Sequence, residues 1–317
     1  MKFLFKNIEK GLIYRIITFI NIIKLMNNKI TIVIPTYKRP ILLERALNSV
    51  ISDHYKFDIL VSVNGKDECY EEYKITQKKF EVLKNVKFFY QETNIGFFNN
   101  LNFLISECKT EYISILADDD ESDVEGIVKI RNFLAENNDF VSGCLFWEFI
   151  SSDGSKKLLK PKCFHQDYIL KRILSYLYCS DDAFFYGLHR TSSLRKCSFK
   201  SYWRPNQRDL ANWAYVFQFD LLLQGKIYFL NQDKYKWKNH DYTKKYYHKP
   251  KLNFFIRGFK YIVRRINIYF MYLKKILLTG NFLIFPIVLL YSILFLVRDI
   301  VFREPIYHIL KSKVKNK

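Results

Sequence analysis

Between Ile30 and Leu116, short apolar runs alternate with stretches of helical spacing, and no other feature limits the fold of this chain as strongly. The runs are Ile30 to Ile34, Asp58 to Val63, Val86 to Tyr90 and Tyr112 to Leu116, with a helical pattern such as Ile41 to Ile51 between each pair. Parallel strands cannot be joined by a tight turn; they need right-handed crossovers of a dozen or more residues, usually helices. The expectation is therefore an α/β, Rossmann-like domain on a parallel sheet. Such sheets bind ligands at the carboxyl ends of their strands, so the loops carrying Thr36, Asn64 and Asp118 should converge on one edge.

The fourth run breaks off into three adjacent carboxylates, Asp118, Asp119 and Asp120. Neighbouring acids repel one another, so a triplet at a strand end points to a cation that holds it together. Oxygen ligands of this kind suit Mg²⁺ or Mn²⁺, and on an extended backbone Asp118 and Asp120 would face one ion while Asp119 turns aside. A second reading stays open, because acids also complement the dipole of a helix start and Val124 to Leu134 has helical spacing. The segment Glu92 to Asn102 likewise carries two readings. Gly96 permits close backbone approach and a helix start offers amides to an anion, while Asn94 is equally suited to capping that helix.

In this order and spacing, Ile32-Val33-Ile34-Pro35-Thr36-Tyr37-Lys38-Arg39-Pro40, then Asn94-Ile95-Gly96 with Asn100, then Asp118-Asp119-Asp120 with Glu125-Gly126, resemble the family 2 glycosyltransferases of the GT-A fold. The resemblance covers roughly residues 29 to 240. It implies a nucleotide pocket lined by Pro35, Thr36 and Tyr37, and a donor site completed by Arg39, Asn64, Asn94, Gly96, Asn100, Asp118 and Asp119. It also implies a DxD metal pair in Asp118 and Asp120, with relatives often carrying an Asp where this chain has Ala117. His240, after the last core strand, stands where members place a histidine that helps hold metal or diphosphate; a lone surface histidine is the alternative. Asp209, which precedes a helical stretch ending at Gln224-Gly225, matches the catalytic base, with helix capping as its alternative and Asp220 as a second candidate. One departure concerns the base-recognition stretch, where Val63 stands in place of an acid and Asn64 remains to bond a base edge.

The flanks read differently. Polar residues recur every three to four positions through residues 1 to 28, an N-terminal amphipathic helix, and residues 29 to 250 form the catalytic domain. In residues 251 to 317, Arg257, Lys260, Arg264, Asn267 and Lys274 form a polar stripe opposite Phe255, Phe259, Ile262, Ile266 and Phe270. That is the pattern of a basic interfacial helix, and these C-terminal helices are expected to associate with an anionic membrane surface. Ile276 to Val297 is free of charge, but Gly280, Asn281 and Pro286 interrupt it and basic residues flank both sides, which favours a shallow or re-entrant helix broken near Pro286 over a full crossing. A net charge of +20 implies an anionic partner, yet no nucleic-acid-recognition motif is present, so nucleic acid is not expected. Scattered cysteines with no CxxC pair and the lack of a secretory signal lead to the expectation that the body stays inside the cell, and the family resemblance with the basic C-terminal helices implies the cytoplasmic face of a bacterial inner membrane. The expected reaction is metal-dependent transfer of a sugar, with inversion, from a nucleotide-diphosphate sugar to a glycan or polyprenyl-linked acceptor. The competing class is a scaffold that keeps the fold without catalysis.

Overall fold

The structure, a computed structural model, describes residues 30–151, 154–159, 164–179, 183–197, 210–238 and 254–298. Its first half alternates as the sequence requires: β1 (Ile30–Thr36), α1 (Pro40–Val50), β2 (Asp58–Val63), α2 (Tyr70–Phe80), β3 (Val86–Tyr90), α3 (Phe97–Glu107), β4 (Tyr112–Ile115) and α4 (Val124–Glu136). These strands pair in parallel in the order β3-β2-β1-β4, so all four carboxyl ends lie on one edge. Pro35 is tolerated inside β1 because pairing with β4 stops at Val33, and a proline there removes no ladder bond on that side.

The second half is mixed: β5 (Phe140–Ile150), β6 (Lys156–Leu159), α5 (Ile169–Cys179), β7 (Leu188–Arg190), α6 (Thr191–Leu194), α7 (Leu210–Gln224) and β8 (Lys226–Lys238). β7 is antiparallel to both β4 and β5 and joins the two halves, while β8 runs parallel to β5 along its whole length. A half-buried guanidinium ties this joint together. Arg190 donates to the carbonyls of Phe140, Leu134 and Asn137, which closes the C-terminal end of α4 onto β5.

Two helices complete the described chain, α8 (Phe254–Leu278) and α9 (Phe285–Arg298), separated by a turn at Gly280 (φ +73°) and a short 3₁₀ segment at Phe282–Ile284. The sequence reading placed the break near Pro286. It lies earlier, because Pro286 sits in the first turn of α9, where its missing N–H is not needed. The apolar stripe read from sequence is also not the one that packs. Ile268, Met271, Tyr272 and Ile276 are buried in the same core as Phe217, Phe219 and Leu222 of α7, while Ile266 and Phe270 face outward. Among the described residues no helix is long and apolar enough to cross a membrane. The expected N-terminal helix lies outside the described residues.

Candidate active site

The edge formed by β1, β2 and β4 gathers the residues singled out above. Thr36, the last residue of β1, donates from Oγ1 to Asp118 Oδ2 at 2.7 Å and lies 2.9 Å from the Tyr73 hydroxyl. The Tyr73 hydroxyl accepts the backbone N–H of Arg39 at 2.8 Å, which fixes the loop after β1 over the site. Lys38, in left-handed backbone at φ +57°, makes the turn that precedes Arg39. From there the Arg39 guanidinium donates one nitrogen to two acids, Asp118 Oδ1 at 3.0 Å and Asp119 Oδ2 at 2.7 Å. Tyr37 is half-buried in the same loop.

The triplet is not extended, so strand alternation does not govern it. β4 ends at Ile115, Asp118 and Asp119 form a turn, and the N–H of Asp120 returns to the Ala117 carbonyl at 3.3 Å. Adjacent acids therefore converge where the sequence paired Asp118 with Asp120. Asp120 is 2% exposed and accepts the Tyr235 hydroxyl at 2.9 Å, with that hydroxyl in turn accepting the Ala117 N–H. The helix-start reading also fails, since α4 begins at Val124 and its cap is Asp123, which accepts the N–H of Gly126 at 3.1 Å.

Burial pushes the Asp118 carboxyl up to about 6; Arg39 pulls it back, and Asp119 adds to the rise. More positive charge at this point would bring it down. The donor set thus fits a divalent cation: one cationic nitrogen already draws an oxygen from each of two carboxylates, and ions of the Mg²⁺ type are commonly held by one or two carboxylates together with substrate phosphates. No cluster of three ligating side chains exists among the described residues.

Beside the triplet, Asn64 is 4% exposed and donates to Asn94 Oδ1 at 3.0 Å while accepting the N–H of Ile95 at 2.9 Å. Asn94 Oδ1 also accepts the N–H of Gly96. The cap position of α3 is Gly96 itself, at φ +83°, so Asn94 builds the loop and does not cap the helix. Gly65, at φ +110°, is required by contact: a Cβ there would lie 2.8 Å from the Asn94 nitrogen. Asn100 lies beneath the site and not in it. It is 1% exposed, and its amide is spent on Ser62, donating to the carbonyl at 2.9 Å and accepting from the hydroxyl at 2.6 Å.

Of the remaining candidates, Asp209 and His240 lie outside the described residues. Asp220 is buried in the middle of α7 and paired with Lys275 of α8 at 2.5 Å, an anion between helices with no path to an acceptor. Sequence reasoning missed Tyr73, Tyr235, Arg45 and Gly65. Arg45, one helical turn and a half beyond Arg39 on α1, donates to the Asp119 carbonyl and pairs with Glu121 at 3.1 Å. The spacing from Arg39 was visible; the tyrosines reach the site only through the fold.

Residues 31–193 match the model of glycosyl transferase family 2, which is more than half of the chain. Solved structures of S. aureus TarS share the fold. Residues 1–349 of TarS in complex with UDP-GlcNAc align at 17% identity and a TM-score of 0.55, over 77% of this chain and 66% of that one. The same TarS segment without a named ligand aligns at 15% and 0.54 over 88% and 91%, and its UDP complex at 16% and 0.53 over the same shares. This chain therefore spans just under two thirds of the first of those structures. No curated protein matches the sequence. By the family match the chain belongs to glycosyl transferase family 2, and its fold is the GT-A fold of the TarS structures.

Proposed function

We propose that the enzyme transfers a sugar from a nucleoside-diphosphate sugar to a hydroxyl of a lipid-linked or surface-polysaccharide acceptor, with inversion, and uses Mg²⁺ or Mn²⁺. The observation that carries this is the Thr36, Arg39, Asp118 and Asp119 cluster at the carboxyl edge of parallel strands. Asn64 and the loop of Asn94 to Gly96 flank the base and ribose on the β2 side. Arg39, exposed enough to leave its acids, follows the diphosphate as it binds and offers it a planar, two-pronged donor. Asp118 and Asp119 would hold the metal, and Asp120 keeps their turn in place through Tyr235. A bound divalent ion supplies Lewis-acid neutralisation of the departing diphosphate. An acceptor hydroxyl is a weak nucleophile at neutral pH, so Asp209 takes its proton as it attacks the anomeric carbon. His240 adds a contact to metal or diphosphate.

We place the enzyme at the cytoplasmic face of the inner membrane, peripheral or monotopic. α8, the turn and α9 expose the large apolar side chains of Phe270, Leu278, Phe282, Leu283, Leu290 and Leu294, and exposed apolar area of this kind marks an interaction site. Basic residues border it in sequence on both sides, from Arg257 to Lys274 and from Arg298 to Lys317, which matches an anionic lipid surface.

The experiment is a thermal-shift panel against UDP-, GDP-, CMP- and dTDP-sugars, each with Mn²⁺ or with EDTA. UDP-GlcNAc is the first donor to try because a structural neighbour binds it. A metal-dependent rise with one nucleotide supports the reading, since a ligand that binds only the folded state stabilises it. No shift with any of them, in folded protein, would return the scaffold alternative.

A further inference from the structure

The ends of β5 and β8 carry an aromatic ladder that the donor chemistry does not use. Beyond a register shift after Leu145, the strands pair Trp147 with Tyr235 and Phe149 with Trp237. Side chains two apart share a face, so all four rings lie on one side, while Glu148, Lys234 and Lys236 take the other, where Glu148 pairs with Lys234 and Lys236 with Glu121. Trp147 stacks on Tyr235 at 5.3 Å between centroids, Tyr186 stacks on Tyr235 at 5.7 Å, and Trp237 meets Trp147 at 5.9 Å and Phe149 at 4.8 Å. The inner rings are core: Tyr235 is 1% exposed and Trp147 8%. The outer end is open, with Trp237 43% exposed and Phe149 and Tyr186 half-buried.

The ladder is joined to the acid triplet. Tyr235 bonds Asp120, and Lys236, next to Trp237, exchanges both backbone hydrogen bonds with Glu121 at 2.8 and 3.2 Å. In the sheet order it lies on the β7–β5 side of the triplet, opposite Asn64 and Asn94, and so away from the side assigned to the nucleotide. Trp147 Nε1 is buried with no hydrogen-bond partner among the described residues, a donor left unsatisfied unless a ligand supplies the acceptor.

We propose that Trp237, with Phe149 and Tyr186, is a carbohydrate subsite that seats a pyranose ring of the acceptor. One face of a pyranose presents C–H groups of partial positive charge, which meet the negative face of an indole, while the ring hydroxyls remain free to take a donor such as Trp147 Nε1. The site lies where an acceptor must approach, beyond the carboxylates that face the diphosphate. The inference rests on the transferase reading, and its test separates the two.

The chain carries four tryptophans, Trp147, Trp203, Trp213 and Trp237, whose indole N–H signals can be assigned with single Trp→Phe variants. Methyl pyranosides of gluco, galacto, manno and N-acetylglucosamine configuration are titrated with and without UDP. At least one of them is expected to shift the Trp147 and Trp237 signals together. Trp237→Ala should weaken that sugar about tenfold or more while Trp237→Phe keeps most of the affinity, and UDP binding should be the same in all three proteins. A panel that moves neither signal, or a Trp237→Ala protein that binds the sugar as well as the parent, overturns the subsite. Loss of UDP binding in the parent protein would instead overturn the transferase reading, whatever the sugars do.

Discussion

The donor edge and the C-terminal helices solve opposite problems within one fold. At the donor edge, short polar side chains bond one another and the backbone, as in the run from Tyr73 through Thr36 to Asp118 and Arg39. In α8 and α9, a few buried contacts hold the helices to α5 and α7 while large apolar side chains stay outside, Leu283 at 94% exposure. The first arrangement is closed and specific, the second open and general. A nucleotide needs particular atoms in particular places; a lipid surface asks only for apolar area and charge.

If the two regions are energetically separate, the largest stability effect should come from the far side and leave the donor edge untouched. Lys275→Met removes the ammonium paired with the buried Asp220 carboxylate, and breaking such a pair from one side costs about 3–5 kcal/mol. Chemical denaturation should show that loss, and the double variant Asp220→Asn with Lys275→Met should recover most of it. UDP affinity should not move in either. A parallel loss of UDP affinity would show that α7 and α8 are wired to the donor edge. The reverse experiment is Asp118→Asn. It should cut transfer by about a hundred- to a thousandfold, the scale for removing a group aimed at developing charge, equivalent to about 3–4 kcal/mol, without unfolding the protein.

His189 sharpens the comparison from the joint between the halves. It is wholly buried, bonded to Ser142 Oγ at 2.8 Å and to the Phe185 carbonyl, and burial lowers it from 6.5 to about 4. A histidine held neutral contributes stability that is present above its unfolded value and is lost as pH falls from there through the folded value, here about 3 kcal/mol between pH 6.5 and 4. Asp118, raised to about 6, works with the opposite sign, gaining stability as it protonates over an overlapping window. Nitrogen shifts of the ring should stay those of neutral imidazole down to about pH 4. Protonation near 6.5 would mean that water reaches this joint.

The sequence was most informative where backbone pattern and chemistry coincide. Strand alternation, Thr36, Asn64 and the acid triplet were all legible, because a parallel sheet dictates where its strand ends meet. Rotation within the triplet was not legible. Period-two reasoning holds only while the strand continues, and here the strand ends at Ile115, before Asp118 is reached. Tyr73 and Tyr235 come from distant elements, and nothing local in a helix or a strand marks a hydroxyl that will reach another loop. The second half of β8 was missed for a different reason. Lys234-Tyr235-Lys236-Trp237-Lys238 alternates as a strand should, but its charged face masked the aromatic one. In α8 the apolar side proved to be two faces, one packed at Ile268, Met271, Tyr272 and Ile276 and one open at Ile266 and Phe270.

Asn100 tests where the donor edge ends. Its amide satisfies both the carbonyl and the hydroxyl of Ser62, so Asn100→Ala should cost about 2 kcal/mol through the buried groups left without partners. Donor KM should stay within about twofold when measured well below the melting temperature. A tenfold rise would put Asn100 back among the groups that touch the nucleotide.

The smallest stability effect should come from the most exposed residue. Leu283 touches so little of its own protein that Leu283→Ser should change folding stability by less than about 0.5 kcal/mol. The same side chain, buried in a lipid interface, is worth about 1.5–3 kcal/mol, so binding to vesicles with phosphatidylglycerol should fall about tenfold or more. Salt should weaken the parent protein's binding as well, because the basic flanks are screened over about a Debye length. The two measurements together separate a membrane face from a merely exposed one. A variant that is as stable and binds vesicles as well as the parent would show that this apolar surface does not meet lipid, and the contrast between a closed donor edge and an open helical face would then need a protein partner to explain it.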